Sequence, residues 1–426
     1  MKHNLVTLPN GLPVLLIDTE SFPTITTLLM VGAGSRYENE KNNGIAHFFE
    51  HMAFKGSKKY QNSYVISSVI EGLGGVFNAY TSKDHTGYWI KATSEHFEKV
   101  TDVLSDMVLE PLLLDEEIER EKGVIVEEIN MYEDTPSRRV NELFEGLIYQ
   151  GNPLGFDIAG TPDTVRSFTR KTFTDYIASL YHPHNAVLVI AGGMKGDFSH
   201  YEKIVREKFG NWKPGKSVSF EPMKENQQKP DLLIHHKKTE QAHFNIGYRA
   251  FSFRDPRKAP LSVLSAILGG GMSSRLFIEV RERRGLCYYI GSGRELYSDV
   301  GNFVIQAGVT NKLEKVKEAI QVTQEECLKM TKSDIKPEEM TKAKEMIKGR
   351  LLLSMEDSQN VANYFGSKKL LEQSMETPEE IIRKIEKVTL EEVVAVAKDL
   401  FQPANLNFAL IGPFHQEEFS IEDLHM

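Results

Sequence analysis

Two related α+β halves, each a mainly antiparallel β-sheet covered by helices, are predicted by three observations. β-Branched runs such as Ile25-Thr26-Thr27-Leu28-Leu29-Met30-Val31 coexist with stretches such as Glu338 to Ser354, where apolar residues recur every three or four positions. Strands and amphipathic helices therefore share the chain. Strands are separated sometimes by a turn and sometimes by one or two helices, which suits an antiparallel sheet with helices on one face better than strict strand–helix alternation. Finally, the punctuation of the first half returns in the second.

In chain order, the strand at Ile25–Val31 is followed by a helix around Gly44–Met52 and by a carboxylate-rich helical pattern over Glu116–Tyr132 (EEIEREKGVIVEEINMY). Thr161-Pro162-Asp163 opens an amphipathic stretch to Tyr181, after which His182-Pro183-His184-Asn185 leads into the strand Ala186–Ile190 and a stop at Gly192. Thr377-Pro378-Glu379, a stretch to Phe401, Gln402-Pro403-Ala404-Asn405, the strand Leu406–Ile411 and Gly412 repeat that order 216 to 220 residues later. Gly87–Ala92 with Glu98-Lys99-Val100 likewise returns as Gly301–Gln306 with Glu314-Lys315-Val316. Duplication of an ancestral unit accounts for both matches. Lys213 to Pro230 between them is polar, carries three prolines and lacks apolar periodicity, the composition of a linker. The expected domains are thus residues 1–212 and 231–426, joined by a linker at 213–230.

Length and composition bound the function. The 426 residues allow two to four domains at roughly 100–200 residues each, and 40% hydrophobic with 26% charged is an ordinary globular balance. A net charge of −9 gives no basic patch for a phosphate backbone or anionic lipid, so neither nucleic acid nor membrane is expected as a partner. No apolar run is long enough to span a bilayer, and the start Met1-Lys2-His3-Asn4-Leu5 lacks an apolar segment before a cleavage site. A soluble, cytoplasmic protein is expected. Cys287 and Cys327 are the only cysteines, too few for a thiolate zinc site. Any metal must be held by histidine and carboxylate.

The sharpest local signal is Gly44-Ile45-Ala46-His47-Phe48-Phe49-Glu50-His51-Met52, which contains H-x-x-E-H. On a helix His47 and His51 lie one turn apart on one face, so both imidazoles reach one ion about 2.0–2.1 Å away. Glu50 projects beside them and is free to act as general base toward a water activated by the metal. Two histidines make half a site, since catalytic zinc normally takes three protein ligands. The carboxylate-rich helix is the source of the third, and Glu127 and Glu128 are both candidates. They stand about 100° apart on a helix, so only one can face the histidines well.

His47-x-x-Glu50-His51 with Glu128 placed 77 positions after His51 resembles the inverted zinc-peptidase family of pitrilysin, insulin-degrading enzyme and mitochondrial processing peptidase. The resemblance implies Glu128 as third ligand, one Zn2+ per chain, and Glu121 as a carboxylate that supports the site. It likewise makes Gly74-Gly75-Val76-Phe77-Asn78-Ala79-Tyr80-Thr81 similar to the family strand whose edge accepts substrate by backbone pairing, with Asn78, Ala79 and Tyr80 at its centre. The counterpart of the zinc helix in the second half, Ala259 to Gly270, has neither histidine nor glutamate. That half instead carries Gly269 to Leu276 and Arg281-Glu282-Arg283-Arg284-Gly285-Leu286-Cys287-Tyr288. The second segment resembles the family's Arg/Tyr pair, which implies that Arg281 and Tyr288 hold substrate and stabilise the oxyanion. The function so implied is a zinc metalloendopeptidase acting on peptides or unfolded segments. Members of this length imply a homodimer, or a heterodimer with an inactive homologous chain. The alternative within the family is a non-catalytic structural core subunit, which would have lost the ligands that His47, His51 and Glu128 retain.

Overall fold

The apolar runs become central strands. The computed structural model describes residues 1–224 and 227–424, so Glu225 and Asn226 of the expected linker lie outside the described residues. The first sheet contains β1 (Lys2–Thr7), β2 (Pro13–Asp18), β3 (Thr24–Val31), β4 (Val76–Thr81), β5 (Thr86–Thr93) and β6 (Ala186–Gly192) in the order β1-β2-β6-β3-β5-β4. The second contains β7 (Asp231–His236), β8 (Gln241–Ala250), β9 (Cys287–Leu296), β10 (Gly301–Thr310) and β11 (Leu406–Gly412) in the order β7-β11-β8-β10-β9. From β2 onward the two orders correspond strand for strand. Each sheet has one parallel pair, β2–β6 and β7–β11, and is otherwise antiparallel.

The repeated punctuation is repeated structure. Thr161 and Thr169 cap the helices Pro162–Ser167 and Arg170–Leu180, and Thr377 and Thr389 cap Pro378–Lys387 and Leu390–Leu400, all four through reciprocal capping boxes. A single 3₁₀ turn, Pro183–Asn185 or Pro403–Asn405, then delivers the chain into β6 or β11. This is an internally duplicated α+β fold.

The helices do not keep to one face. Residues of β6 are buried throughout, and a strand that is apolar on both sides must be covered on both sides. On one face of the first sheet Leu16, Leu29, Leu188 and Ile190 pack with Phe48, Phe49 and Leu104. On the other, Leu28, Met30, Val187 and Val189 pack with Val361, Ala362 and Phe365 of the helix Ser358–Leu370. That helix comes from the second half of the sequence. It is fastened by Lys91 to Asp357 (2.6 Å), by the Thr26 and Ser358 hydroxyls (2.8 Å), and by the Tyr80 hydroxyl donating to Asn363 (2.8 Å).

The second sheet is treated alike: Val140, Phe144 and Ile148 of the helix Pro136–Ile148 pack with Ala409 and Ile411 of β11. The two compact units are therefore Met1–Asn130 with Phe156–Glu221 and Ser354–Met375, and Met131–Gly155 with Pro222–Leu353 and Glu376–Met426. Each half lends one helix to the other's sheet. Among the described residues no helix is long and apolar enough to cross a membrane.

Phe365 is 2% exposed in the core between the first sheet and the lent helix. Phe365→Ala is expected to cost about 3–5 kcal/mol. The checks are the denaturation midpoint and faster amide exchange in β3 and β6, although these strands lie some 170 residues or more away in sequence.

Candidate metal centre

His47, Glu50 and His51 project from the helix Ile45–Ala53, whose back is core. Ile45, Phe48 and Phe49 are fully buried and Met52 is 1% exposed. Phe48 meets Phe173 edge-on at 5.0 Å and Phe49 meets Tyr181 at 4.9 Å between ring centroids, a favoured aromatic arrangement. The N-terminus is held as firmly. Gly44 sits in the left-handed region (φ 97°), and a Cβ there would lie 2.7 Å from the Ala159 carbonyl oxygen, so only glycine fits. The buried Glu38 carboxylate accepts the backbone N–H of Gly44 and of Ala46 (2.8 Å each) and the side-chain amide of Asn43 (2.9 Å). Its oxygens satisfy free N–H groups of the helix start, and these hydrogen bonds oppose the burial that pushes the Glu38 carboxyl up to about 7.

The partner helix is Asp115–Glu133. Ile118, Glu121 and Ile125 are its buried residues, and with Glu128 they form one stripe at spacings of three and four. Glu127 points off that stripe and is exposed, as are Glu116 and Glu119, while Glu117 pairs with Arg120 and Glu119 with Lys122.

The stripe brings Glu128 to the histidines. Its Oε2 stands 3.6 Å from His47 Nε2 and 3.5 Å from His51 Nε2, and the three donors lie within 4.8 Å of one another. Ligand atoms about 2.0–2.1 Å from a tetrahedral zinc stand roughly 3.3–3.4 Å apart. The spacing fits three ligands around one ion. Two imidazoles and a carboxylate are also the donor types zinc accepts in an open catalytic site. Among the described residues this is the one such cluster of three.

The supporting contacts are specific. Glu121, with its side chain 4% exposed, meets His51 Nδ1 through Oε1 at 2.9 Å and Lys55 Nζ through Oε2 at 2.5 Å. A carboxylate on Nδ1 leaves Nε2 to face the other donors. Thr81 at the end of β4 donates its hydroxyl to Glu50 Oε2 at 2.6 Å. Burial pushes the Glu50 carboxyl above its usual range, opposed by that hydrogen bond and by His51.

β4 is the edge strand of its sheet, so its outer backbone is unpaired within the unit. Its side chains alternate. Ala79 is buried and Thr81 reaches Glu50, whereas Asn78 is exposed and Tyr80 turns to Asn363 on the lent helix. In the other unit, Arg281 lies on the π-helical turn Phe277–Glu282 and Tyr288 near the start of β9. The Arg281 guanidinium is 4.6 Å from the Phe277 ring and 5.7 Å from the Tyr288 ring, and Tyr288 is 72% exposed. The two form a local pair. The helix Lys258–Gly269 in this unit, KAPLSVLSAILG, carries no metal-binding side chain and is buried from Pro260 onward.

Residues 13–162 match the family described as "Insulinase (Peptidase family M16)" and residues 167–347 the one described as "Peptidase M16 inactive domain". The "Uncharacterized zinc protease YmxG" of Bacillus subtilis is 35% identical over 409 residues, covering 96% of this chain and 97% of that one. The chain belongs to peptidase family M16. An "Uncharacterized zinc protease" of Rickettsia felis is 32% identical over 416 residues, covering 97% and 98%. Among solved structures, "The crystal structure of a protease from Helicobacter pylori" superposes on this M16 chain with a TM-score of 0.89 at 24% identity, over 97% of this chain and 99% of that one. That likeness is one of fold.

Glu38 and Lys55 of the centre carry no role in the sequence reading, and Thr81 enters it only as the last residue of the strand segment Gly74–Thr81. Lys55 follows His51 by four positions, a spacing open to inspection, but nothing local pairs Glu38 with residues 44 and 46 or Thr81 with Glu50. Glu38→Ala removes three hydrogen bonds from the N-terminus of the helix Ile45–Ala53. It is expected to cost about 1–3 kcal/mol of stability, read by thermal unfolding, and to weaken zinc binding in a chelator competition.

Proposed function

We propose that this protein is a zinc-dependent endopeptidase that cuts peptides or unfolded segments, with one Zn2+ held per chain by His47, His51 and Glu128. The observation that carries the reading is the convergence of those three donors beside a carboxylate, Glu50, that is not needed as a ligand. Zinc bound there supplies Lewis acidity toward water and a peptide carbonyl. Glu50 takes a proton from the attacking water on the oxygen that Thr81 does not hold, and returns it to the leaving amine. The edge of β4 binds substrate as an added strand through residues 78–80, so main-chain pairing provides affinity without demanding one sequence. Arg281 and Tyr288 donate to the oxyanion as it develops.

Support comes from membership of M16 and from the relatives named zinc proteases. The first test is metal removal: dialysis against a chelator should abolish cleavage of a quenched fluorescent peptide, and one equivalent of Zn2+ should restore it. Glu50→Gln should keep stoichiometric zinc by elemental analysis and lose nearly all turnover, since an amide holds a water but takes no proton. A near-normal rate would require another base. Tyr288→Phe should cut turnover about 10²–10³-fold, the usual effect of losing one oxyanion donor, with zinc content unchanged. Arg281→Ala should lower the rate while stability stays within about 1 kcal/mol. Wild-type kinetics in both variants would remove the second unit from the chemistry.

A further inference from the structure

We propose that Lys55 is a positioning residue for the metal centre: its ammonium fixes the Glu121 carboxylate, and through it the orientation of the His51 imidazole. The inference rests on the reading of His47, His51 and Glu128 as ligands. Glu121 is almost fully buried, and each of its oxygens has a separate partner, Oε1 with His51 Nδ1 at 2.9 Å and Oε2 with Lys55 Nζ at 2.5 Å. A buried carboxylate must be compensated, and a single contact to His51 would leave it free to rotate about its last bond. The second contact removes that freedom. Lys55 is itself well anchored. Its N–H donates to the Met52 carbonyl at 3.1 Å just past the helix end. The next residue, Gly56, has φ 134° and its carbonyl accepts the Leu112 N–H at 3.0 Å, close before the helix that carries Glu121. A bridge between Ser57 and Pro111 closes the same junction. Lys55, Glu121 and His51 therefore form a closed chain of contacts between two elements that are already tied together.

The test measures metal affinity, not turnover. Metal-free full-length protein is titrated with Zn2+ against a chromophoric chelator. Lys55→Met should weaken binding about 10–100-fold, the range found when outer partners of ligating histidines are lost. Lys55→Arg, which keeps the charge and a donor, should stay close to wild type. In a Glu121→Gln background Lys55→Met should add little further loss, because the contact it removes is already broken. Lys55→Gln repeats the comparison so that the outcome does not depend on the folding of one variant, and thermal unfolding of the metal-free forms monitors that folding. Unchanged affinity in Lys55→Met and Lys55→Gln overturns the inference, as does a loss of the same size in the Glu121→Gln background. His47→Ala separates the two readings: if it binds Zn2+ as the wild type does, the ligand assignment itself fails and the role of Lys55 falls with it.

Discussion

A helix of nine residues is marginal in water on its own, yet Ile45–Ala53 must hold two imidazoles and a carboxylate in fixed relation. Its shape comes from its back. Ile45, Phe48, Phe49 and Met52 are sealed into the core of the first unit, with Phe173 and Tyr181 set edge-on against the two phenylalanines. Helical periodicity then leaves residues 47, 50 and 51 on the other side. The H-x-x-E-H pattern is one face of an amphipathic helix whose second face is hydrophobic glue. The packed back fixes the backbone, and contacts such as Glu121 on His51 and Thr81 on Glu50 orient the side chains.

The second element solves a harder problem, since its stripe toward the core contains two glutamates. Burying a carboxylate is costly unless charge and hydrogen bonds compensate it. Glu121 is compensated on both oxygens by His51 and Lys55, and Glu38 by two backbone N–H groups and an amide. Glu128, only partly buried, stands at 3.5 and 3.6 Å from the two imidazoles, wider than a direct hydrogen bond and matched to a shared cation. Such an investment in buried charge is characteristic of a functional centre. It also explains why Glu127, one residue away, is simply solvated.

The sequence makes local and periodic features legible and leaves partnerships hidden. Strand and helix alternation, the Thr-Pro helix starts and the offset near 216 residues are all written within short windows, and the corresponding sheet orders, β2-β6-β3-β5-β4 and β7-β11-β8-β10-β9, follow them. The i, i+4 histidines are legible for the same reason. Choosing Glu128 over Glu127 needed the family spacing, because a single turn of helix does not reveal which side faces a distant element. The exchange of Pro136–Ile148 and Ser358–Leu370 between the two halves of the sequence was not legible at all. Its one trace is the run Ala186–Gly192, apolar at both alternating sets of positions, which demands cover on a second face without saying what supplies it.

The duplication shows what the fold requires and what chemistry adds. The helix Lys258–Gly269, from the counterpart region in the second unit, is KAPLSVLSAILG and is buried from Pro260 to Gly269. It carries neither histidine nor glutamate, and the strand order of its sheet corresponds to that of the first. The fold therefore accepts here a helix buried on every side as well as one that buries only its back. In the first unit the front carries His47, Glu50 and His51, and around them stand residues whose buried charges would be pure cost in a scaffold. Those charges, down to the Lys55 contact on the second oxygen of Glu121, are what packing alone does not require.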